Sequence, residues 1–172
     1  MLGITIFILL LTFAPPPALN HIQARQVNDR LLPEELSEAE TQTILKEERP
    51  KQRVDATLKI SDARVNDASQ HARESRFQAA VQDVDVYAAL IRYLDDYTRK
   101  LPSSQVKDRN TCLKKIEQAI FKQTRLLEAV IHDLPYDYRA STERAINDVK
   151  KIRLRAINDL LGGGSVINSS NE

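Results

Sequence analysis

The stretch VDATLKISDARVNDASQHA, residues 54–72, decides the fold class of this chain. Its apolar and small residues recur at spacings of four and three, at Val54, Leu58, Ser61, Val65, Ala68 and Ala72. This spacing places them on one face of an α-helix and leaves the charged residues on the other faces. The stretch therefore predicts a long amphipathic helix, whose pattern starts at Pro50.

A second helical pattern follows, out of phase with the first. The apolar positions slip by a step of five across Glu74-Ser75-Arg76-Phe77 and then continue at Phe77, Ala80, Val81, Val84, Tyr87, Ala88, Ile91, Leu94 and Leu101. The slip predicts a tight turn between two helices, with Ser75 as the N-cap of the second. Because no Gly, Asn or Pro marks the turn, one uninterrupted helix from Pro50 to Leu101, about 75 Å long, is the alternative.

Two prolines divide the rest of the chain. Leu101-Pro102-Ser103-Ser104 ends the second helix, because a residue that precedes proline disfavours helical geometry. Asp108 is predicted to be the N-cap of a third helix, which Leu134-Pro135 ends. A fourth helix is predicted from about Asp137 to Leu161, before the helix stop at Gly162-Gly163-Gly164.

Four amphipathic segments of about 25 residues, joined by short loops, predict an all-α fold. The expected arrangement is an antiparallel up-down-up-down four-helix bundle over residues 50–161, with coiled-coil-like packing. Residues 25–49 are predicted to be an acidic linker with a short extra N-terminal helix, opened by Pro33-Glu34-Glu35. Residues 162–172 are predicted to be a disordered tail. The two halves of the bundle share only a loose similarity, too weak for a sequence repeat.

The first segment, Met1–Ala14, is almost wholly apolar and is followed by three prolines. A run of about 13 apolar residues is too short to span a bilayer but suits the core of a signal peptide. We therefore predict a signal peptide over residues 1–24, with cleavage near Ala24 or, alternatively, Ala18, and a periplasmic or secreted mature protein. Since no Lys or Arg precedes the apolar core, an N-terminal membrane anchor that is retained is the alternative.

Composition and motifs limit the function classes. The formal net charge of +1 provides no field to steer the chain to nucleic acid. Cys112 is the only cysteine, which excludes an intramolecular disulfide, and its place on an apolar stripe predicts a buried side chain, not a reactive thiolate. The sequence has no Gly-x-Ser-x-Gly, no phosphate-binding glycine loop and no His-Glu-x-x-His. We therefore predict no enzymatic activity and no cofactor.

Two His-carboxylate pairs are weak candidates for a metal site. Asp67 precedes His71 by four residues, and Glu128 precedes His132 by the same spacing. Both pairs lie near the C-terminal ends of predicted helices, which the bundle topology places at one pole. The competing interpretation is that each histidine complements the negative end of its helix dipole, and we favour that interpretation.

A surface for a partner is predicted on the last helix. Its basic residues are Lys150, Lys151, Arg153 and Arg155, with acidic residues interleaved among them. Such mixing is usual for a solvated helix face but also suits contact with an anionic surface. Four tyrosines, Tyr93, Tyr97, Tyr136 and Tyr138, are predicted to gather at one pole, either as packed rings or as an interaction site.

The run Arg49-Pro50-Lys51-Gln52-Arg53-Val54 through Ala63-Arg64, then Ala72 to Phe77-Gln78-Ala79-Ala80, and on to Tyr87 and Leu90, resembles uncharacterised exported bacterial helical domains. In those domains a basic helix is followed by a small turn, an aromatic residue and an alanine-rich helix. Their usual turn is richer in Gly or Asn than Glu74-Ser75-Arg76. The resemblance implies a secreted structural or interaction module and transfers no catalytic residues.

These observations favour an exported binding or scaffolding module whose partner is a protein or an envelope component. One alternative is a metal- or anion-binding periplasmic protein that uses the histidine pole. The other is a membrane-anchored helical protein that keeps its N-terminal segment. A homo-oligomer is compatible with each of these hypotheses.

Overall fold

The structure is a computed structural model that describes residues 32–162. Within that range the chain forms α-helices, one short 3-10 helix and turns but no β-strand, which confirms the predicted all-α class. The predicted signal peptide over residues 1–24 and the predicted tail beyond Gly162 lie outside the described residues. Between residues 32 and 162, no helix combines the length and the apolar character that crossing a bilayer requires.

The short N-terminal helix, α1, spans Glu38–Leu45. A capping box fixes its start: the Ser37 hydroxyl accepts a hydrogen bond from the Glu40 N–H at 3.2 Å, and the Glu40 carboxylate accepts one from the Ser37 N–H at 2.9 Å. The predicted start at Pro33 is therefore wrong by five residues. Pro33 instead opens a turn, in which its carbonyl accepts a hydrogen bond from the N–H of Leu36.

The next two helices are separate, as the phase slip predicted. Helix α2 spans Pro50–Arg73 and α3 spans Phe77–Arg99. Ser75 is not an N-cap, however, because it adopts a left-handed conformation with φ of 59° in the turn that closes α2. The N–H of Arg76 donates to the carbonyl of His71 and the N–H of Ser75 to that of Ala72, which together form a Schellman motif.

The last two helices follow the predicted proline stops. A 3-10 turn at Ser103–Gln105 leads directly into α4, Val106–Asp133, and α5 spans Tyr136–Leu160. Because this turn already sets the first helical residues, Asp108 lies inside the first turn of α4 and is not its N-cap. Its carboxylate pairs instead with Lys51 of α2 at 3.0 Å.

Packing is densest around α3, which is buried on most of its circumference. Tyr87, Leu90, Ile91, Tyr93 and Leu94 are all essentially without solvent exposure. Helix α2 packs mainly along α3 and α4, and α5 packs along α4 and α3. The core is therefore shared by all four long helices, and Ile44 of α1 is also fully buried.

Three polar contacts between the first pair of long helices, α2 and α3, and the second pair, α4 and α5, join residues at a nearly constant sequence separation, and a fourth, between Lys51 and Asp108, spans 57 positions. Lys115 donates to Asp55 across 60 positions, Gln123 to Asp62 across 61, and Arg155 to Asp95 across 60. The second pair of helices therefore lies alongside the first, with α4 beside α2 and α5 beside α3.

The burial pattern repeats at a separation of 59 residues. The buried residues of α5 are Thr142, Ile146, Val149, Ile152 and Ala156, and each lies 59 positions after a buried residue of α3. Five of the seven buried residues in α4 follow a buried residue of α2 by the same separation. Since few residue types coincide at these positions, the repetition is visible in the packing and only loosely in the sequence.

Candidate binding surface

The basic residues predicted to form a patch on the last helix are each neutralised by a carboxylate. The pairs are Lys150 with Glu128, Lys151 with Asp148, Arg153 with Glu117 and Arg155 with Asp95, at N–O distances of 3.0, 2.9, 2.9 and 2.7 Å. Three of the four pairs join α5 to another helix. These residues therefore tie helices together, and the structure does not bring them into one cationic patch.

The predicted gathering of four tyrosines at one pole is wrong. Tyr93 and Tyr97 are buried near the end of α3, with ring centroids 6.0 Å apart. Tyr138 packs on Phe77, the first residue of α3, at 5.9 Å. The two aromatic groups are therefore about 24–30 Å apart along α3, at 1.5 Å per residue. Tyr136 is 87% exposed at the start of α5.

The two histidines predicted as metal ligands face different surroundings. Nδ1 of His71 lies 2.8 Å from Oδ2 of Asp83, a residue of α3 that is almost fully buried. His132 is 89% exposed and its nearest carboxylate is that of Asp133, at 3.3 Å. The side chain of His71 is thus directed toward α3, whereas that of His132 is directed to solvent.

The carboxylates proposed beside these histidines do not complete a site. Asp67 is exposed, and Glu128, also exposed, receives Lys150. Residues 32–162 contain no group of three or more His, Cys, Asp or Glu side chains placed to hold a metal ion. Asp83, which sequence reasoning missed, is the partner of His71, and its position three residues after Ala80 and four before Tyr87, on the apolar face of the predicted helix, was the available signal.

Cys112 is buried, as predicted. Burial raises the pKa of its thiol to about 11, and the nearby charge of Asp108 acts in the same direction. Because a thiolate is the reactive form of cysteine, this side chain is inert near neutral pH.

A groove between α2 and α4, which we call the α2–α4 groove, is the feature that sequence reasoning missed. It encloses about 380 Å³. Its lining includes the apolar residues Leu58 and Ala119 together with the charged and polar side chains of Asp55, Lys59 and Asp62 on α2 and of Lys115, Lys122 and Gln123 on α4. The available signal was the polar stripe of Asp55, Lys59 and Asp62, which recurs at spacings of four and three beside the apolar stripe.

The charges of this groove are only partly paired. Lys115 holds both carboxylate oxygens of Asp55, at 2.6 and 2.7 Å. Lys59 and Lys122 are exposed and make no hydrogen bond or ion pair with any other described residue. The groove therefore offers two cationic side chains, one on each wall, that are open to a partner.

Gln123 is the most buried of the lining residues, with 6% of its surface exposed. Its Nε2 donates to Oδ1 of Asp62 at 3.3 Å, an orientation that the acceptor-only carboxylate imposes. The amide oxygen is then left buried without a donor among the described side chains.

The groove continues toward the C-terminal ends of α2 and α4. A second depression of about 430 Å³ is lined by Asn66, Ser69, Gln70, Arg73, Glu74 and Leu126. Leu126 follows Gln123 on α4 by one turn, so the two depressions lie in series along the same pair of helices.

The chain matches no protein family model, no curated protein and no solved structure. The resemblance to exported bacterial helical domains thus stays a prediction, and the candidate surface is defined by the geometry of this chain alone.

Proposed function

We propose that this chain is an exported, non-enzymatic module that binds or scaffolds a partner protein in the α2–α4 groove. The observation that carries the proposal is the pair of exposed lysines, Lys59 and Lys122, on opposite walls of the groove. Both lack a carboxylate partner among the described residues, whereas the basic residues of α5 discussed above all have one.

The chemistry of the groove favours an acidic segment of the partner. Asp55 is already neutralised by Lys115, so the groove offers a net positive charge to an incoming chain. Arg73 adds a further exposed cation in the depression that follows. Carboxylates on a bound segment would pair with these side chains, and charge complementarity of this kind contributes chiefly to specificity and association rate.

As the framework for this groove we propose a four-helix bundle built from two antiparallel pairs of helices. Arg53, near the start of α2, stacks on Tyr97, near the end of α3, at 5.4 Å. Arg153, late in α5, reaches Glu117 in the first half of α4. Both contacts favour helices that run in opposite directions within each pair.

The two pairs would then associate with α2 beside α4 in the same direction. This pairing is favoured by the order of their contacts, because Lys51 meets Asp108 and, further along both helices, Asp62 meets Gln123. A groove between two parallel helices packed on a common core is a rigid platform for binding.

A charge-reversal experiment tests the binding role. The full chain with Lys59→Glu and Lys122→Glu is used as bait against extracytoplasmic extract of the native host, and captured proteins are quantified by mass spectrometry. The matched control is Lys46→Glu with Lys100→Glu, two exposed lysines outside the groove.

We expect the groove variant to capture the partner at least tenfold less than the wild-type chain, while the control captures it normally. Equal capture by both variants, with unchanged circular dichroism, would show that the groove is not the binding surface.

Export is tested separately by N-terminal mass spectrometry of the protein from fractionated cells. A mature start near Arg25 in a soluble extracytoplasmic fraction is expected. An intact Met1 in the membrane fraction would replace this part of the proposal with the membrane-anchored alternative.

A further inference from the structure

We infer that the outer face of the second pair of helices, centred on Phe121 and Leu154, is the contact surface of a symmetric homodimer. The inference rests on how the two pairs of helices pack and is independent of the partner groove. We define the outer face by Phe121 and Glu128 of α4 together with Lys150, Lys151 and Leu154 of α5.

The repetition of burial at 59 residues relates the outer face of the second pair of helices to a surface of the first pair. In the first pair of helices, Asp62 and Asp95 are among the residues that reach the second pair, through Gln123 and Arg155. The positions 59 residues later are Phe121 and Leu154. The same surface that joins the first pair to the second is therefore present again on the second pair, where it faces away from the first.

At these two positions the acidic residues of the first pair are replaced by large apolar ones. Phe121 is 61% exposed and Leu154 is 60% exposed. The guanidinium of Arg153 stacks on the ring of Phe121, with Cζ 4.6 Å from the centroid, and is held by Glu117. An apolar centre with an ordered arginine and a charged rim has the composition of a protein interface.

The opposite end of the assembly is already covered. Gln123 reaches back from the second pair to the first, and the position 59 residues earlier is Arg64. Nη2 of Arg64 lies 2.8 Å from both carboxylate oxygens of Glu40, on α1. Helix α1 thus occupies the place of a preceding helix pair, and head-to-tail stacking of copies is blocked there.

A second copy must therefore meet the outer face with its own outer face, about a two-fold axis. This is an isologous contact, which closes as a dimer and leaves no free end. The charges at the edge of the outer face are compatible with this two-fold contact because both signs are present, with Lys150 beside Glu128 and Lys151 beside Asp148.

The size of the face is sufficient for a stable contact. Helices of 28 and 25 residues are about 40 Å long, and two of them side by side are about 20 Å wide. The resulting area of about 800 Å² matches what each partner contributes to an interface of standard size.

Sedimentation equilibrium of the full chain tests the dimer. The variant Phe121→Asp with Leu154→Asp places four carboxylates at the two-fold contact, and we expect its dimer dissociation constant to be at least 100-fold higher than that of the wild-type chain. The control, Val106→Asp, changes an apolar residue that is 46% exposed and lies at the start of α4, about 22 Å along the helix from Phe121 and thus at the edge of the contact. It should dimerise normally, and all three proteins keep the same apolar N-terminal segment.

A strictly monomeric wild-type chain, or a double variant that still dimerises as tightly, would overturn the inference.

Oxidative cross-linking tests the dimer if the double variant fails to fold. Leu154→Cys places one thiol of each copy near the axis and should form a disulfide-linked dimer at least tenfold faster than Val106→Cys. Cys112 does not compete, since it is buried. Equal rates for the two cysteine variants would reject the two-fold contact.

Discussion

Arg64 of α2 holds Glu40 of α1 through one nitrogen, Nη2, which lies 2.8 Å from each carboxylate oxygen. The same guanidinium reaches Asp83 of α3 with Nη1 at 3.4 Å. Glu40 also forms the capping box with Ser37, so a single carboxylate both starts α1 and attaches it to the bundle. Although burial alone raises the pKa of Glu40, the hydrogen bonds from Ser37 and the charge of Arg64 outweigh it and hold this pKa below 4.5.

Glu40→Gln is therefore expected to loosen α1 without unfolding the bundle. The neutral side chain loses the charged contact with Arg64, which at this partly exposed position contributes about 1 kcal/mol. Amide hydrogen exchange followed by mass spectrometry should show about fivefold less protection in Glu38–Leu45 and unchanged protection in α3. Glu38→Gln, at an exposed position of the same helix, is the control. Unchanged protection of α1 in Glu40→Gln would contradict the proposed attachment.

The attachment of α1 should also depend on pH. Because the pKa of Glu40 is lower in the folded chain than in the unfolded chain, its contribution is complete above about pH 4.5 and is lost as pH falls through the folded value. The difference in protection between wild type and Glu40→Gln should therefore shrink below pH 4.5. A difference that stays constant down to pH 3 would show that the charge of Glu40 does not hold α1.

The contribution of Asp95 to stability is expected to change with pH in the direction opposite to that of Glu40. Burial raises its pKa above 3.8, and the opposing charges of Arg155 and Arg99 do not fully offset this. The folded chain thus binds the proton more tightly than the unfolded chain, so this group's contribution to stability decreases as pH rises through 3.8 and the raised value. Asp95→Asn removes that contribution. The free energy of unfolding of the variant, relative to wild type, should increase between pH 3.5 and pH 7.

Urea unfolding at several pH values measures this difference. Asp96→Asn is the matched control, because Asp96 is the exposed neighbour on the same helix. A relative stability of Asp95→Asn that decreases with rising pH would mean that the ion pair with Arg155, whose side chain is 51% exposed, outweighs the burial of the charge.

The helices themselves were predictable from the sequence, because apolar spacing and proline stops are local signals. The break between α2 and α3 followed from a phase slip alone, although Ser75 carries none of the usual turn signals of Gly or Asn. The ends were less predictable. The capping box at Ser37 and the 3-10 turn before Val106 depend on hydrogen-bond geometry that several nearby residues could supply equally well.

The candidate surfaces were not predictable in the same way. The basic residues of α5 resembled a free patch because their acidic partners, Asp95 and Glu117, are 60 and 36 positions away. The four tyrosines are separated by helix direction, because the start of α5, with Tyr138, lies beside the start of α3, whereas Tyr93 and Tyr97 lie near the end of α3. Likewise, the repetition of 59 residues is carried by burial, which the amino-acid types record only loosely.

Ser75→Gly is expected to stabilise the chain. Ser75 has a φ of 59° at the position of a Schellman motif where glycine is most common, because a side chain is strained there. Glycine should raise the free energy of unfolding by about 0.5–1 kcal/mol, with part of the gain offset by its larger unfolded-state entropy. Urea denaturation measures the change, and Ser104→Gly, outside the α2–α3 turn, is the control. A loss of stability in Ser75→Gly would show that the serine side chain contributes to the turn.

Tyr87→Phe tests the polar interior beside the α2–α4 groove. Tyr87 is fully buried in α3, and its hydroxyl has no hydrogen-bond partner among the described residues. Burial raises the pKa of this phenol far above its ordinary 10.0, and the negative charge of Asp62 adds to the effect. The hydroxyl is therefore a desolvated donor that stays neutral near neutral pH.

Removal of that hydroxyl should raise the free energy of unfolding by about 1 kcal/mol, because an unmade hydrogen bond of a buried donor no longer opposes folding. Urea denaturation measures the change, and Tyr136→Phe, at a position that is 87% exposed, should alter stability by less than about 0.5 kcal/mol.

If the free energy of unfolding of Tyr87→Phe were instead lower by about 1 kcal/mol or more, the hydroxyl would have a partner in the folded chain. The carboxamide oxygen of Gln123, buried and likewise without a donor, would then be the first group to test, by Gln123→Leu in the Tyr87→Phe background. Because Gln123→Leu also removes the hydrogen bond to Asp62, the single Gln123→Leu variant completes the cycle. Losses that add in the double variant would exclude the pairing, whereas a double loss smaller than the sum of the two single losses would establish it.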